Sequence, residues 1–366
     1  MKLHNDRDAF KVLIESISSE TGYRTDVLEK DYYVVLILKE LSEMQILNGL
    51  PAYFKGGTAL YKALKTTNRF SEDIDLSVDA CECSRTQSDK RLERSTKKYS
   101  SLIRDSSLGK TNRSEVETVY LYDPVTSYDE NDALQRFGRL KIEATTFTIS
   151  EPVENLEITP LIYEAATEEQ KKILEDVYDI KPFIIKTITM ERIFIDKLFA
   201  AEAYVRNSDK GNRAFEAAKH IYDLAVICEH SKIKALLSDE KQLDYLLSIR
   251  IKEELGRLDG IPNVLPKDFM FFTSTETNQN VRKAYETMQR QYVFRDEDRI
   301  DFDVAIAALK QIEKQLLANP AWLLCKTNET EKRPSVLERL EEAKKQADEI
   351  NNSRPKSRKP KNIEIQ

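Results

Sequence analysis

Two adjacent glycines, Gly56-Gly57, stand between the short run Ala52-Tyr53-Phe54-Lys55 and Thr58-Ala59-Leu60, and the acidic segment Ser71-Glu72-Asp73-Ile74-Asp75-Leu76 follows closely. Glycine lets a backbone turn tightly where a Cβ would collide. The order therefore reads as strand (52–55), glycine turn, helix (59–64) and second strand (74–78). Asp73 and Asp75 are one residue apart, so on a strand both carboxylates share a face, with Ile74 and Leu76 packed behind. Bare N–H groups in such a turn can approach phosphate oxygens, and paired acids can hold a divalent metal. Either half alone is ambiguous: an Asp-x-Asp also suits a solvated strand edge, and Gly-Gly an ordinary turn. Together they point to phosphate chemistry.

Around this nucleus the periodicity predicts one helix over 6–20 and another over 25–44, the latter with a broad apolar stripe and Thr25 as N-cap. A charged amphipathic helix is expected over 87–105, with Leu92, Tyr99, Leu102 and Ile103 on one side and Lys90, Arg94, Lys97 and Lys98 on the other. Strand-like runs follow at 116–122, 139–147, 156–163 and 183–188. From Thr189 the pattern turns helical, with candidates at 190–206, 212–229, 231–256, 277–291, 301–318 and 333–350. The reading is an α+β domain over 1–188, a helical domain over 189–350, and a basic, disordered tail over 351–366.

Composition narrows the class. With 366 residues, 40% apolar and 33% charged, the chain suits a globular protein with a solvated helical surface. Its apolar runs are too short to span a bilayer, and the start, Met1-Lys2-Leu3-His4, lacks a signal-peptide pattern, so a cytoplasmic location is expected. Four cysteines in so long a chain read as free thiols, Cys81-Glu82-Cys83 lacking a partner pair for zinc. A net charge of −6 argues against non-specific coating of nucleic acid, while leaving room for local basic surfaces. The segment Lys90–Lys98 is one, suited either to RNA phosphates or to plain solvation; the tail after Arg354 is another.

Five segments in order, Glu29-Lys30-Asp31-Tyr32-Tyr33, Gly56-Gly57-Thr58-Ala59-Leu60, Arg69-Phe70-Ser71-Glu72-Asp73-Ile74-Asp75-Leu76, Lys197-Leu198-Phe199-Ala200 and Lys219-His220-Ile221-Tyr222-Asp223-Leu224, resemble the AbiEii/AbiGii toxin family. The resemblance spans about the first 230 residues. It implies a polymerase-β-like nucleotidyltransferase core, with MenT-type relatives, and a toxin of a bacterial toxin–antitoxin pair linked to phage defence. It further implies NTP as substrate, Mg²⁺ or Mn²⁺ as cofactor, the 3′ end of tRNA as acceptor with translation blocked, and a winged-helix antitoxin encoded nearby. Two departures stand out. The stretch from Thr58 to Glu72 is longer than is common in the wider superfamily, and His220 replaces an acid found before Tyr-Asp-Leu in many relatives.

The chemistry assigns Asp73 and Asp75 to metal, and Gly56, Gly57, Thr58 and Ser71 to the nucleotide phosphates, helped by the positive end of the helix starting near Thr58. Arg69 either adds charge there or lies exposed in a loop. Lys197 falls on the face of its helix that should be buried, so it either clamps triphosphate or snorkels to the rim. Asp223 would position Lys197 or a substrate group, or hold metal indirectly, while His220 would form a structural pair with it. Glu143 is either a third carboxylate and base or an exposed sheet residue. Glu29–Asp31 suggests only capping and salt bridges. Alternative acceptors are protein hydroxyls or small molecules, and a non-catalytic NTP-binding inhibitor is the remaining reading.

Overall fold

The computed structural model describes residues 2–127, 137–256 and 265–325. In chain order the elements are α1 (Arg7–Thr21), α2 (Thr25–Leu47), β1 (Ala52–Lys55), α3 (Gly56–Lys62), β2 (Ile74–Val78), α4 (Arg85–Lys97), β3 (Ile103–Thr111), β4 (Glu115–Leu121), β5 (Arg139–Thr145), β6 (Val153–Ile158), α5 (Leu161–Glu164), α6 (Glu168–Tyr178) and β7 (Phe183–Ile188). Helices follow: α7 (Met190–Arg206), α8 (Arg213–Ile227), α9 (Ser231–Ser238), α10 (Glu240–Gly256), α11 (Phe271–Thr277), α12 (Gln279–Tyr292), α13 (Phe302–Leu317) and α14 (Pro320–Leu324). The expected helix 333–350 and the basic tail lie outside the described residues.

The strands form one mixed sheet in the order β3-β4-β5-β2-β1-β7-β6. β2 runs parallel to β5 and antiparallel to β1, which pairs in parallel with β7. Ile74, Leu76, Leu140, Ile142 and Ala144 are fully buried on one face, which leaves Asp75, Lys141 and Glu143 on the other. α2 is buried along most of its length and supplies what the short β1–β7 pairing lacks. The Gln45 side chain donates to the Ala52 carbonyl at 2.6 Å and accepts from the Lys186 N–H at 2.9 Å, bridging the two strands.

Three sequence expectations need correction. The helix expected over 87–105 ends at Lys97, and 103–111 is an edge strand with Ile103 77% exposed. Glu40 on α2 takes the Ser100 and Ser101 N–H groups at 2.7 and 2.8 Å, a long-range capture that ends the helix against its local pattern. Likewise the strand expected over 156–163 stops at Ile158, and Pro160 N-caps α5. The candidate 231–256 is two helices, broken at Asp239.

The long stretch between α3 and β2 has a structural use. The Phe70 N–H donates to the Tyr292 carbonyl at 2.6 Å and the Phe294 N–H to the Asn68 carbonyl at 3.0 Å, around an antiparallel bridge of Arg69 with Val293. The Tyr292 hydroxyl donates to Glu72 at 3.0 Å. The extra residues thus tie the acidic strand's approach to the end of α12.

Candidate active site

Register assembles the acidic cluster. Asp75 pairs with Glu143 on β5 and with Lys55 on β1, and Glu143 pairs in turn with Glu117 on β4. Two residues earlier in each segment, the Lys141 ammonium lies 2.8 Å from Asp73, just before β2, and 3.9 Å from Glu143. Burial, then Glu143 and Asp73, push the Asp75 carboxyl up to about 7. Burial also raises Glu143, with Lys141 pulling the other way. Burial opposes the charge on Lys141, but Asp73 and then Glu143 outweigh it and hold the ammonium above the usual lysine range. Lys55 is lowered by burial, against the pull of Asp196 and Asp75.

Among the described residues no three acidic, histidine or cysteine side chains stand close enough to form a ready metal cluster. The ammonium of Lys141 lies between two of the candidate donors. The donor set itself suits a hard divalent cation: Asp73, Asp75 and Glu143 offer carboxylate oxygens, and the first and third disfavour charge on the second.

The glycines are required by what packs on them. Gly56 has φ +81°, and a Cβ there would fall 2.2 Å from an Asp75 carboxylate oxygen. A Cβ on Gly57 would meet Arg69 Nη2 and Ser71 Oγ, each at 2.9 Å. Gly56→Ala is therefore expected to displace Asp75 and to lower stability by about 1–2 kcal/mol from the left-handed backbone alone, measurable by urea unfolding. Thr58 departs from expectation: it is fully buried and its hydroxyl donates to the Asp73 carbonyl, so it shapes the strand entry instead of reaching phosphate. α3 has seven residues and so lacks the full terminal charge of a long helix.

Facing the acids is a buried cationic pair. Asp223, fully buried on α8, accepts from Arg69 Nε at 2.7 Å and Nη2 at 2.6 Å, and pairs with Lys197 Nζ from α7 at 2.5 Å. Burial works against this carboxylate, but Arg69 and Lys197 bring it down to about 2. Lys197 is itself lowered, first by burial and further by Arg69. Arg69 is thus no exposed loop residue. The expected Asp223–His220 pair is absent, because both carboxylate oxygens serve the cations. His220 instead stacks on Tyr204 with centroids 5.3 Å apart, and burial followed by the Lys197 charge holds its imidazole well below the usual histidine range.

A cavity of about 480 Å³ joins these parts, lined by Gly57, Arg69, Ser71, Asp73, Asp75, Lys141, Glu143 and Lys197. Tyr204, Arg213, Lys219, His220 and Tyr292 also line it, beside Glu72, Asn212 and Glu216. Lys141 was not legible as a site residue, and α4, with its basic residues, contributes nothing to this lining. The Glu29-Lys30-Asp31 segment is scaffolding. Glu29 accepts from the Val125 and Thr126 N–H groups, Lys30 pairs with Glu72 at 3.7 Å, and Asp31 pairs with Lys62 at 2.9 Å.

Residues 40–308 match the model of the nucleotidyl transferase AbiEii toxin family of type IV toxin–antitoxin systems, extending the relationship into the helical half. No curated protein matches the sequence. Among solved structures, JHP933 from Helicobacter pylori is similar at 16% identity, covering 90% of this chain and 98% of its own, with a TM-score of 0.40. A putative nucleotidyltransferase from H. pylori is 18% identical over 80% of this chain and 96% of its own, with a TM-score of 0.39. MenT4, a nucleotidyltransferase toxin from Mycobacterium tuberculosis, is 16% identical over 84% and 98%, with a TM-score of 0.41. These likenesses are distant, and the family match carries the assignment. The chain belongs to the AbiEii family of nucleotidyltransferase toxins of type IV toxin–antitoxin systems.

Proposed function

We propose that this toxin transfers a nucleotidyl group from NTP to the 3′ end of tRNA, with Mg²⁺ or Mn²⁺, and so blocks translation. The observation that carries the reading is the placement of Lys197 and Arg69, fixed by Asp223, on one cavity with Asp73, Asp75 and Glu143. A cavity of about 480 Å³ lies within the usual range for small-molecule sites. Cations beside carboxylates serve a reaction in which an anionic triphosphate is attacked in line by a hydroxyl and pyrophosphate leaves.

Lys197 and Arg69 neutralise charge building on the leaving phosphates, and because Asp223 holds both, little reorganisation accompanies the reaction. The Gly57 backbone, in the first turn of α3, and the Ser71 hydroxyl contact phosphate oxygens. Asp73 and Asp75, with Glu143 as third carboxylate, would hold a divalent cation, which when bound polarises the phosphoryl oxygens. Glu143 receives the proton of the attacking hydroxyl. The α+β part, 1–188, acts as the nucleotidyltransferase domain and the helical domain, 189–350, supplies Lys197 and Asp223. A winged-helix antitoxin encoded nearby restrains the toxin in the cytoplasm. No helix among the described residues is long and apolar enough to cross a membrane.

Purified protein incubated with each labelled NTP, total tRNA and Mg²⁺ should place label on RNA. Lys197→Ala should lower that transfer by about 10²–10³-fold, the usual effect of losing one preorganised charge-stabilising donor. Label on protein or on a small molecule would reject the tRNA acceptor, and undiminished transfer by Lys197→Ala would reject the clamp.

A further inference from the structure

The two cavity lysines differ in how they are held. Lys197 is about 5% exposed and locked on Asp223, whereas the Lys141 side chain is 34% exposed and spans Asp73 and Glu143. Those two carboxylates are candidate cation donors, so the ammonium stands where a divalent ion would bring its charge. Lys141 also lines a neighbouring cavity of about 340 Å³, whose wall includes Glu117 and Glu216. Glu216 already pairs with Lys219 at 3.2 Å and lines both cavities, so a displaced Lys141 has room to turn and, in Glu117, another acid to meet.

We propose that Lys141 is a resident counter-ion that competes with divalent metal for Asp73 and Glu143 and yields only when the metal arrives with a nucleotide triphosphate. The inference rests on the nucleotidyl-transfer reading and adds an order of events to it. Without nucleotide, the ammonium satisfies part of the acidic charge, so a free dication gains little by evicting it. A triphosphate seated near Lys197 adds negative charge and oxygen donors beside the same acids, which favours the dication and releases Lys141 toward Glu117. Metal and nucleotide then bind cooperatively, and a bare ion does not idle in the site.

The test is a Mn²⁺ titration of the full chain followed by electron paramagnetic resonance of the free ion. It is run without nucleotide and with α,β-non-hydrolysable analogues of the four NTPs. Wild type should bind Mn²⁺ weakly alone and tightly with a matching analogue. Lys141→Met should tighten binding of Mn²⁺ alone by about tenfold, since a partly exposed ammonium 2.8 and 3.9 Å from the two carboxylates competes with modest force. With the analogue, the difference should shrink. Lys141→Gln repeats the comparison should the methionine variant melt early, and Lys141→Arg should stay as weak as wild type. Equal or weaker Mn²⁺ binding by the Met and Gln variants overturns the proposal. Asp75→Asn separates the two levels: if it leaves nucleotide-assisted Mn²⁺ binding intact, the carboxylates are not the metal site and the underlying reading fails. If it abolishes binding while Lys141→Met changes nothing, only the role of Lys141 falls.

Discussion

Asp75→Asn is expected to lower nucleotidyl transfer by about three orders of magnitude while the protein melts at or slightly above the wild-type temperature. The substitution keeps the side chain's size, so the close packing against Gly56 survives. What it removes is a carboxylate whose charge is opposed by burial and by Glu143 and Asp73. In the absence of metal, that charge is a cost to the fold, so its loss does not destabilise. During catalysis the same charge is needed to hold a cation against the phosphates. Activity and stability therefore move apart, which a general folding defect would not produce. Parallel transfer assays and thermal melts of the variant decide the point: transfer within tenfold of wild type would remove Asp75 from the chemistry.

Asp223→Ala should be the most damaging single substitution for stability, at about 3–5 kcal/mol, because it leaves Arg69 and Lys197 buried without their shared anion. The two cations would then repel each other across the space the carboxylate filled. In a chain of this size the loss corresponds to a fall of about 4–7 °C in melting temperature. Double substitution with Lys197→Met should recover part of it, since one of the stranded charges is gone. A calorimetric cycle over the four proteins measures the coupling. A drop below 1 kcal/mol for the single variant would show that water or a rearranged acid reaches the cations.

The glycine turn, the alternating acids and the helix bearing Lys197 were legible because their signals are local. Residues 190–206 were expected as a helix, and α7 has those bounds. The site role of Lys141 is illegible for the opposite reason. In Leu140-Lys141-Ile142-Glu143-Ala144 the alternation shows two polar residues on one face, but nothing local says that β5 lies beside β2 with Glu143 opposite Asp75. Arg69 was hard to place because its partner, Asp223, is 154 residues away. Glu29, Lys30 and Asp31 read as capping and salt-bridging residues, and Lys30 and Asp31 do form ion pairs, but their burial and their partners, each in a different part of the fold, are not written locally. The early end of α4 is a further case, since Glu40 intercepts the backbone where the apolar spacing would have continued the turn.

The short stitch of Asn68–Phe70 to Tyr292–Phe294 has a bearing on how the cleft is filled. Backbone hydrogen bonds there join the floor that bears the acids to the wall that bears Tyr292. A clam-shell motion separating floor from wall would have to tear them. Traffic through the site has therefore to use the opening as it stands, lined by Arg213, which stacks on Tyr204, and by Lys219, which pairs with Glu216.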